Sequence, residues 1–216
     1  MKHNPDYKAL AIVPKGRVQQ WVDEAKKFTD LNIEMIPEGL ARDKVEDLLA
    51  KSKKGTVYVM AHREAARASD MLQAIQNDKD LQFGGFVVDE PQELQARGQS
   101  GNIGEMGRRI FKVPVKHRIA LTATPARRNP VEAYDLIRWS SGSKELGTKA
   151  FFKRVFSGFG SGTNAQDTSI SDMFFKTVQP YISGDRLTTP NFKVKQESVA
   201  ITRSPEQIQR QKEIEA

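Results

Sequence analysis

Cysteine is absent from this sequence, which excludes disulfides, thiolate-bound zinc and a cysteine nucleophile, and agrees with a reducing compartment without requiring one. Histidine is scarce, and three scattered residues do not make a metal cluster. Long apolar runs are missing as well: none approaches the roughly 20 residues that cross a bilayer, and the polar start MKHNPDYK has no signal-peptide core. The expectation is a protein of the cytoplasm, or of the nucleus in a eukaryote, neither secreted nor membrane-bound. No internal repeat or long low-complexity tract marks a solenoid or a tail. Acid falls short of base: 34 Lys and Arg stand against 27 Asp and Glu, a formal charge of +7. That balance favours polyanionic partners but is also common on ordinary soluble proteins. A chain of 216 residues buries a core of its own without staples.

Short runs rich in Val, Ile and Leu alternate with helical patterns, as in a mostly parallel sheet covered by helices. Strands are expected at Ala9 to Val13, Thr56 to Met60, Phe86 to Val88 and Arg118 to Ala123. Between the first two, Val18, Trp21, Val22, Ala25 and Phe28 line one helix face, and Val45, Leu48 and Leu49 belong to a second helix. A third helix is expected from Glu64 to Gln76. A fourth runs from Pro130 to about Trp139, started by Asn129 as N-cap with Glu132 closing a capping box. At this spacing Trp21 and Trp139 read as core aromatics. Ser157 to Ser169 is a glycine-rich loop. Beyond it Met173 to Tyr181 reads as helical, Phe192 to Ile201 alternates like a strand, and Pro205 opens a further helix.

The stretch FGGFVVDEPQ, Phe83 to Gln92, ends an apolar strand in two adjacent carboxylates, Asp89 and Glu90. Ligands of open parallel sheets sit beyond the carboxyl ends of the strands. Two readings stand on this stretch alone. One is a plain strand end with solvated acids; the other is a nucleotide-hydrolysis pair, the first acid holding magnesium and the second orienting or deprotonating the attacking water. A second segment, RIALTATPARRNP from Arg118 to Pro130, also leads a strand into hydroxyls, proline and charge, and the two together favour the hydrolytic reading.

On these residues the chain resembles the first motor lobe of superfamily II helicases, specifically the Swi/Snf-related double-stranded DNA translocases. ALAIVPKGRVQQWVDEAKKF is similar to motif Ia and its helix, VYVMAHREA stands where motif Ib is expected, VVDEPQ resembles motif II, and KHRIALTATPARRNPVEAYDLIRW resembles motif III. The tail FKVKQESVAITRSPEQIQRQKEIEA is similar to the stretch before the family's second lobe. The resemblance implies an α/β fold with a RecA-like parallel sheet flanked by helices. It implies lobe residues 1–156 followed by a loop and irregular extension, 157–216, leading toward a second lobe. ATP and magnesium are the implied cofactors and double-stranded DNA the implied partner. Carried over by position, Asp89 is the magnesium carboxylate and Glu90 the catalytic one. Gln92, Thr122 and Thr124 couple motifs II and III, while Lys15, Arg63, Arg127 and Arg128 meet the DNA backbone. Lys15 also reads as an exposed loop lysine, and His62 as a turn residue.

The sequence departs from the family in two places. Motif II ends in DEPQ, so Pro91 and Gln92 replace the usual small residue and the histidine or aspartate after it. More seriously, no GxxxxGKS or GxxxxGKT loop occurs anywhere, although the family cradles its phosphates there. Because the chain begins almost at motif Ia, the expectation is a fragment whose phosphate-loop segment and second lobe belong to the same intact protein. Such a fragment is expected to lack ATPase activity and to leave the strand Arg118 to Ala123 as an unpaired edge. The alternative is a degenerate lobe that hydrolyses nothing and binds nucleic acid or protein. An unrelated nuclease lacks the extra carboxylates and histidines that such sites gather. Seven Lys or Arg residues and no acid lie between Met106 and Val131, which tips the reading toward nucleic acid.

Overall fold

In the computed structural model, residues 7–94, 104–123, 131–142, 144–156, 173–174, 176–181 and 183 are described. The chain divides into two units, Met1–Ser183 and Gly184–Ala216, and every described residue belongs to the first.

Five parallel strands form the sheet: β1 (Ala9–Val13), β2 (Asn32–Met35), β3 (Thr56–Ala61), β4 (Gly85–Asp89) and β5 (His117–Leu121), in the order β2-β3-β1-β4-β5. The chain has an α/β fold with a RecA-like parallel sheet flanked by helices. Four strands lie within a residue or two of their expected bounds. β2 went unread because its four residues, NIEM, carry one fully buried apolar side chain, Ile33. As an edge strand it needs no longer apolar run.

Alternation along the strands sorts the core into two faces. On one face Leu10, Ile12, Tyr58, Met60, Phe86 and Val88 meet residues of α2 (Arg42–Ala50), α3 (His62–Arg67), α4 (Ser69–Asn77), α5 (Glu105–Lys112) and Trp139 of α6 (Val131–Ser141). On the other, Ala11, Val13, Val59 and Ala61 are covered by Val18 and Val22 of α1 (Val18–Phe28). A satellite cluster joins Ala133, Tyr134 and Ile137 of α6 to Phe152 and Phe156 of α7 (Lys149–Phe156) and to Phe174 and Val178.

The single helix expected from Glu64 to Gln76 is two. Ala68 leaves helical geometry at ψ 12°, and Ser69 and Asp70, residues suited to a first turn, restart the chain as α4. Helix α5 was hidden in a stretch read only for its charge. Its first residue, Glu105, pairs with Arg108 and Arg109 at 2.9 Å each, and these two guanidiniums hold its carboxyl below the usual range. Two cations of the basic run therefore have an acid just outside its boundary. Asn129, Pro130, the expected loop Ser157 to Ser169 and the expected elements beyond Ser183 lie outside the described residues.

Candidate active site at the carboxyl rim

Parallel pairing brings the exits of β1, β3, β4 and β5 to one rim. Val13 is in register with Ala61, Ile12 with Val88, and Asp89 with Leu121. Six of the expected site residues share this rim: Lys15, Arg63, Asp89, Glu90, Gln92 and Thr122. Thr124, Arg127 and Arg128 lie outside the described residues.

Lys15 occupies the corner of a tight turn after β1. Arg17 N–H donates to the Pro14 carbonyl at 3.1 Å, and Gly16 takes φ 77°, as the third position of a type II turn requires. Lys15 is exposed there, and Arg63 is exposed in the first turn of α3 next door. Carboxylates staple these loops: Glu38 accepts from Gly16 N–H at 2.6 Å, and the buried Glu64 accepts from Gly39 N–H at 3.1 Å.

Asp89 ends β4 half-buried, and Glu90 follows at φ 47°. This left-handed region is unfavourable for a residue with a Cβ, by about 1 kcal/mol. The turn is held from both sides: Glu90 N–H donates to Leu121 O at 2.8 Å, and Glu93 N–H donates to Glu90 O at 2.9 Å. Pro91 opens the 3-10 turn Pro91–Leu94, which carries the chain off the sheet. The Gln92 amide Nε2 donates to Glu90 Oε2, and Gln92 Oε1 is buried with no hydrogen-bond partner among the described residues.

Two residues that sequence reasoning set aside converge on Asp89. Trp21 is only half-buried, and its indole Nε1–H donates to Asp89 Oδ2 at 2.9 Å. His62 is buried, and its Nε2–H donates to the Asp89 carbonyl at 2.8 Å. Burial lowers the His62 pKa despite the carbonyl and the acids Glu93, Asp89 and Glu90 around it. Spacing alone made Trp21 a core residue; its partner lies 68 positions away, and no local pattern signals that. Trp139 does sit in the core, stacked on Phe111 at 4.7 Å.

Beside Asp89 opens a groove of about 310 Å³ lined by Arg17, Gln20, Trp21, Glu24, Ala25 and Phe28. No group of three or more His, Cys, Asp or Glu that can hold a metal ion occurs among the described residues. A self-sufficient metal centre therefore does not fit. Magnesium held by as little as one carboxylate together with substrate phosphates and water is compatible with the half-buried Asp89 at the rim.

No protein-family model matches this chain, and no curated protein matches its sequence. Among solved structures it is similar to the Sulfolobus solfataricus SWI2/SNF2 ATPase core in complex with dsDNA, with a TM-score of 0.54 and 19% sequence identity. The match covers 84% of this chain and 34% of that one, so this chain spans about a third of its length. At this identity the likeness shows the fold alone. No helix among the described residues is long and apolar enough to cross a membrane.

Proposed function

We propose that this chain is the first motor lobe, from motif Ia through motif III, of a protein that uses ATP to move along duplex DNA. Residues 1–156 form the lobe and 157–216 lead toward a second one. The observation that carries this reading is the junction of the β4 and β5 exits, where Glu90 N–H of the acidic doublet is hydrogen-bonded to Leu121 O, one residue before Thr122. A plain solvated strand end does not call for a glutamate at φ 47°.

In the intact protein, bound magnesium and ATP supply the electrophilic phosphoryl group. Asp89 holds the metal, and Glu90 orients the attacking water and accepts its proton. Glu90 sits at φ 47°, and Gln92 fixes one of its oxygens. Thr122 and Thr124, which follow β5 in the sequence, sense the state of the site together with Gln92. Lys15 and Arg63 meet backbone phosphates from the same rim, joined by Arg127 and Arg128 beyond β5. Such contacts carry no base-specific reading.

The test is binding of a labelled duplex to the full chain across a salt series, read by fluorescence anisotropy. Each phosphate neutralised contributes about 0.9 to the slope of log K against log salt. Arg127→Ala with Arg128→Ala should flatten that slope by about 2. An unchanged slope removes the pair from the interface, and no binding by the parent chain defeats the DNA reading. The missing phosphate-loop motif favours one rival, a lobe that binds without hydrolysing. The chain by itself should show no ATP turnover; turnover abolished by Glu90→Gln would mean that the missing motif has been misjudged.

A further inference from the structure

The peptide unit between Asp89 and Glu90 is pinned at both ends. Its carbonyl accepts from His62 Nε2–H at 2.8 Å, and its N–H donates to Leu121 O at 2.8 Å. That plane is fixed between the start of α3 and the end of β5, and the Glu93 N–H bond to Glu90 O at 2.9 Å holds the next peptide, so the two together keep Glu90 at φ 47°. The Asp89 side chain is fixed separately by the Trp21 indole at 2.9 Å, a charge-assisted bond to a half-buried carboxylate. A histidine whose Nε2 faces a carbonyl carries its proton on that nitrogen, so the contact holds whether or not Nδ1 is protonated.

We propose that Trp21 and His62 are positioning residues that form a clamp on Asp89: His62 sets the backbone from which both acids project, and Trp21 sets the carboxylate rotamer. Each stands close in sequence to an exposed cation. Trp21 lies in the helix after the Lys15 turn, and His62 precedes Arg63. The clamp thus joins the loops after β1 and β3 to the acidic tip, and an anion drawing on either loop is felt at Asp89. The metal and nucleic-acid parts of this statement rest on the function proposed above; the clamp itself does not.

The experiment uses the full chain labelled with nitrogen-15, and Trp21→Phe identifies the Trp21 indole resonance. Asp89→Ala should speed solvent exchange of that indole proton on the order of fivefold, the size of one net hydrogen bond. His62→Leu should speed exchange of the Glu90 amide by a similar factor, while His62→Gln, which keeps a donor at similar reach, should stay near the parent value. The Trp139 indole serves as a control that the fold persists in each variant. Indole exchange unchanged in Asp89→Ala, or equal Glu90 exchange in His62→Leu and His62→Gln, overturns the clamp. Manganese then tests its purpose: it should broaden the Trp21 indole and Glu90 amide resonances, needing several-fold higher concentration in His62→Leu but not in His62→Gln. No broadening in the parent chain defeats the metal role of Asp89, and the exchange rates still decide the clamp.

Discussion

The strands β4 and β5 have two faces that share one backbone and meet opposite surroundings. On one face Phe86 and Val88 are 0% exposed beneath the helices that follow β3 and β4. On the other, Ile119 is 50% and Leu121 39% exposed, and Val87 and Asp89 are half-buried beside the groove along α1. Parallel sheets ordinarily bury both faces. The difference separates two tasks: the closed face carries the stability, and the open face keeps the carboxylate accessible, at the expense of a bare apolar strip.

Truncation on the two faces should therefore cost very different amounts. Phe86→Ala empties a site packed edge-on against Phe83 at 6.0 Å and should lower stability by about 3–5 kcal/mol. Ile119→Ala removes atoms already half in water and should stay within about 0.5 kcal/mol. Urea melts of the two variants measure this directly. Similar losses would mean that the open face is covered in solution.

A second prediction uses a charge on the closed side. Lys8 is 2% exposed, its ammonium donating to Ser52 Oγ at 2.8 Å and lying 4.5 Å from the Phe83 ring centre. Burial lowers its pKa to about 8, with Asp78 pulling it up and Lys54 pushing it down. The unfolded chain holds this proton up to about pH 10.4, so between pH 8 and 10 it binds more protons than the folded one. Stability should rise with pH there, by roughly 1–2 kcal/mol between pH 7.5 and 9.5. Above pH 10 the phenols of the buried Tyr58 and of Tyr7, whose pKa values are raised by desolvation, pull the other way. Lys8→Met should abolish the rise, and a rise that survives in it would belong to another group.

Legibility followed how local the signal was. The strands β1, β3, β4 and β5 stand out because Val, Ile and Leu are contiguous there and turns bound them. The acidic doublet was visible for the same reason: a charged pair at the end of a buried run has few structural uses. The edge position of β5 followed from the family resemblance, and among the described residues β5 does end the sheet. What escaped was pairing at a distance. Nothing near Trp21 or His62 announces Asp89 as a partner, and Glu105 looked irrelevant to a basic run that it partly neutralises. The break at Ala68 was invisible because alanine-rich sequence favours helix on either side of it.

The smallest predicted effect concerns association through the open side. Ile119 and Leu121 project from the same face of β5, whose outer edge has no neighbouring strand among the described residues. Unpaired N–H and C=O groups next to bare apolar side chains invite edge-to-edge pairing. The formal charge of +7 opposes the approach of two copies, and salt screens that repulsion. Self-association of the chain should therefore grow with concentration and with added salt, the reverse of the proposed duplex binding, which salt would weaken. Ile119→Lys with Leu121→Lys places two ammonium groups on the strip, where they remain solvated, and should weaken association at least about tenfold, near 1.4 kcal/mol. Light scattering behind size-exclusion chromatography reads the mass. A parent chain that stays monomeric at high salt and melts cooperatively would contradict the bare edge, and with it the contrast between the two faces.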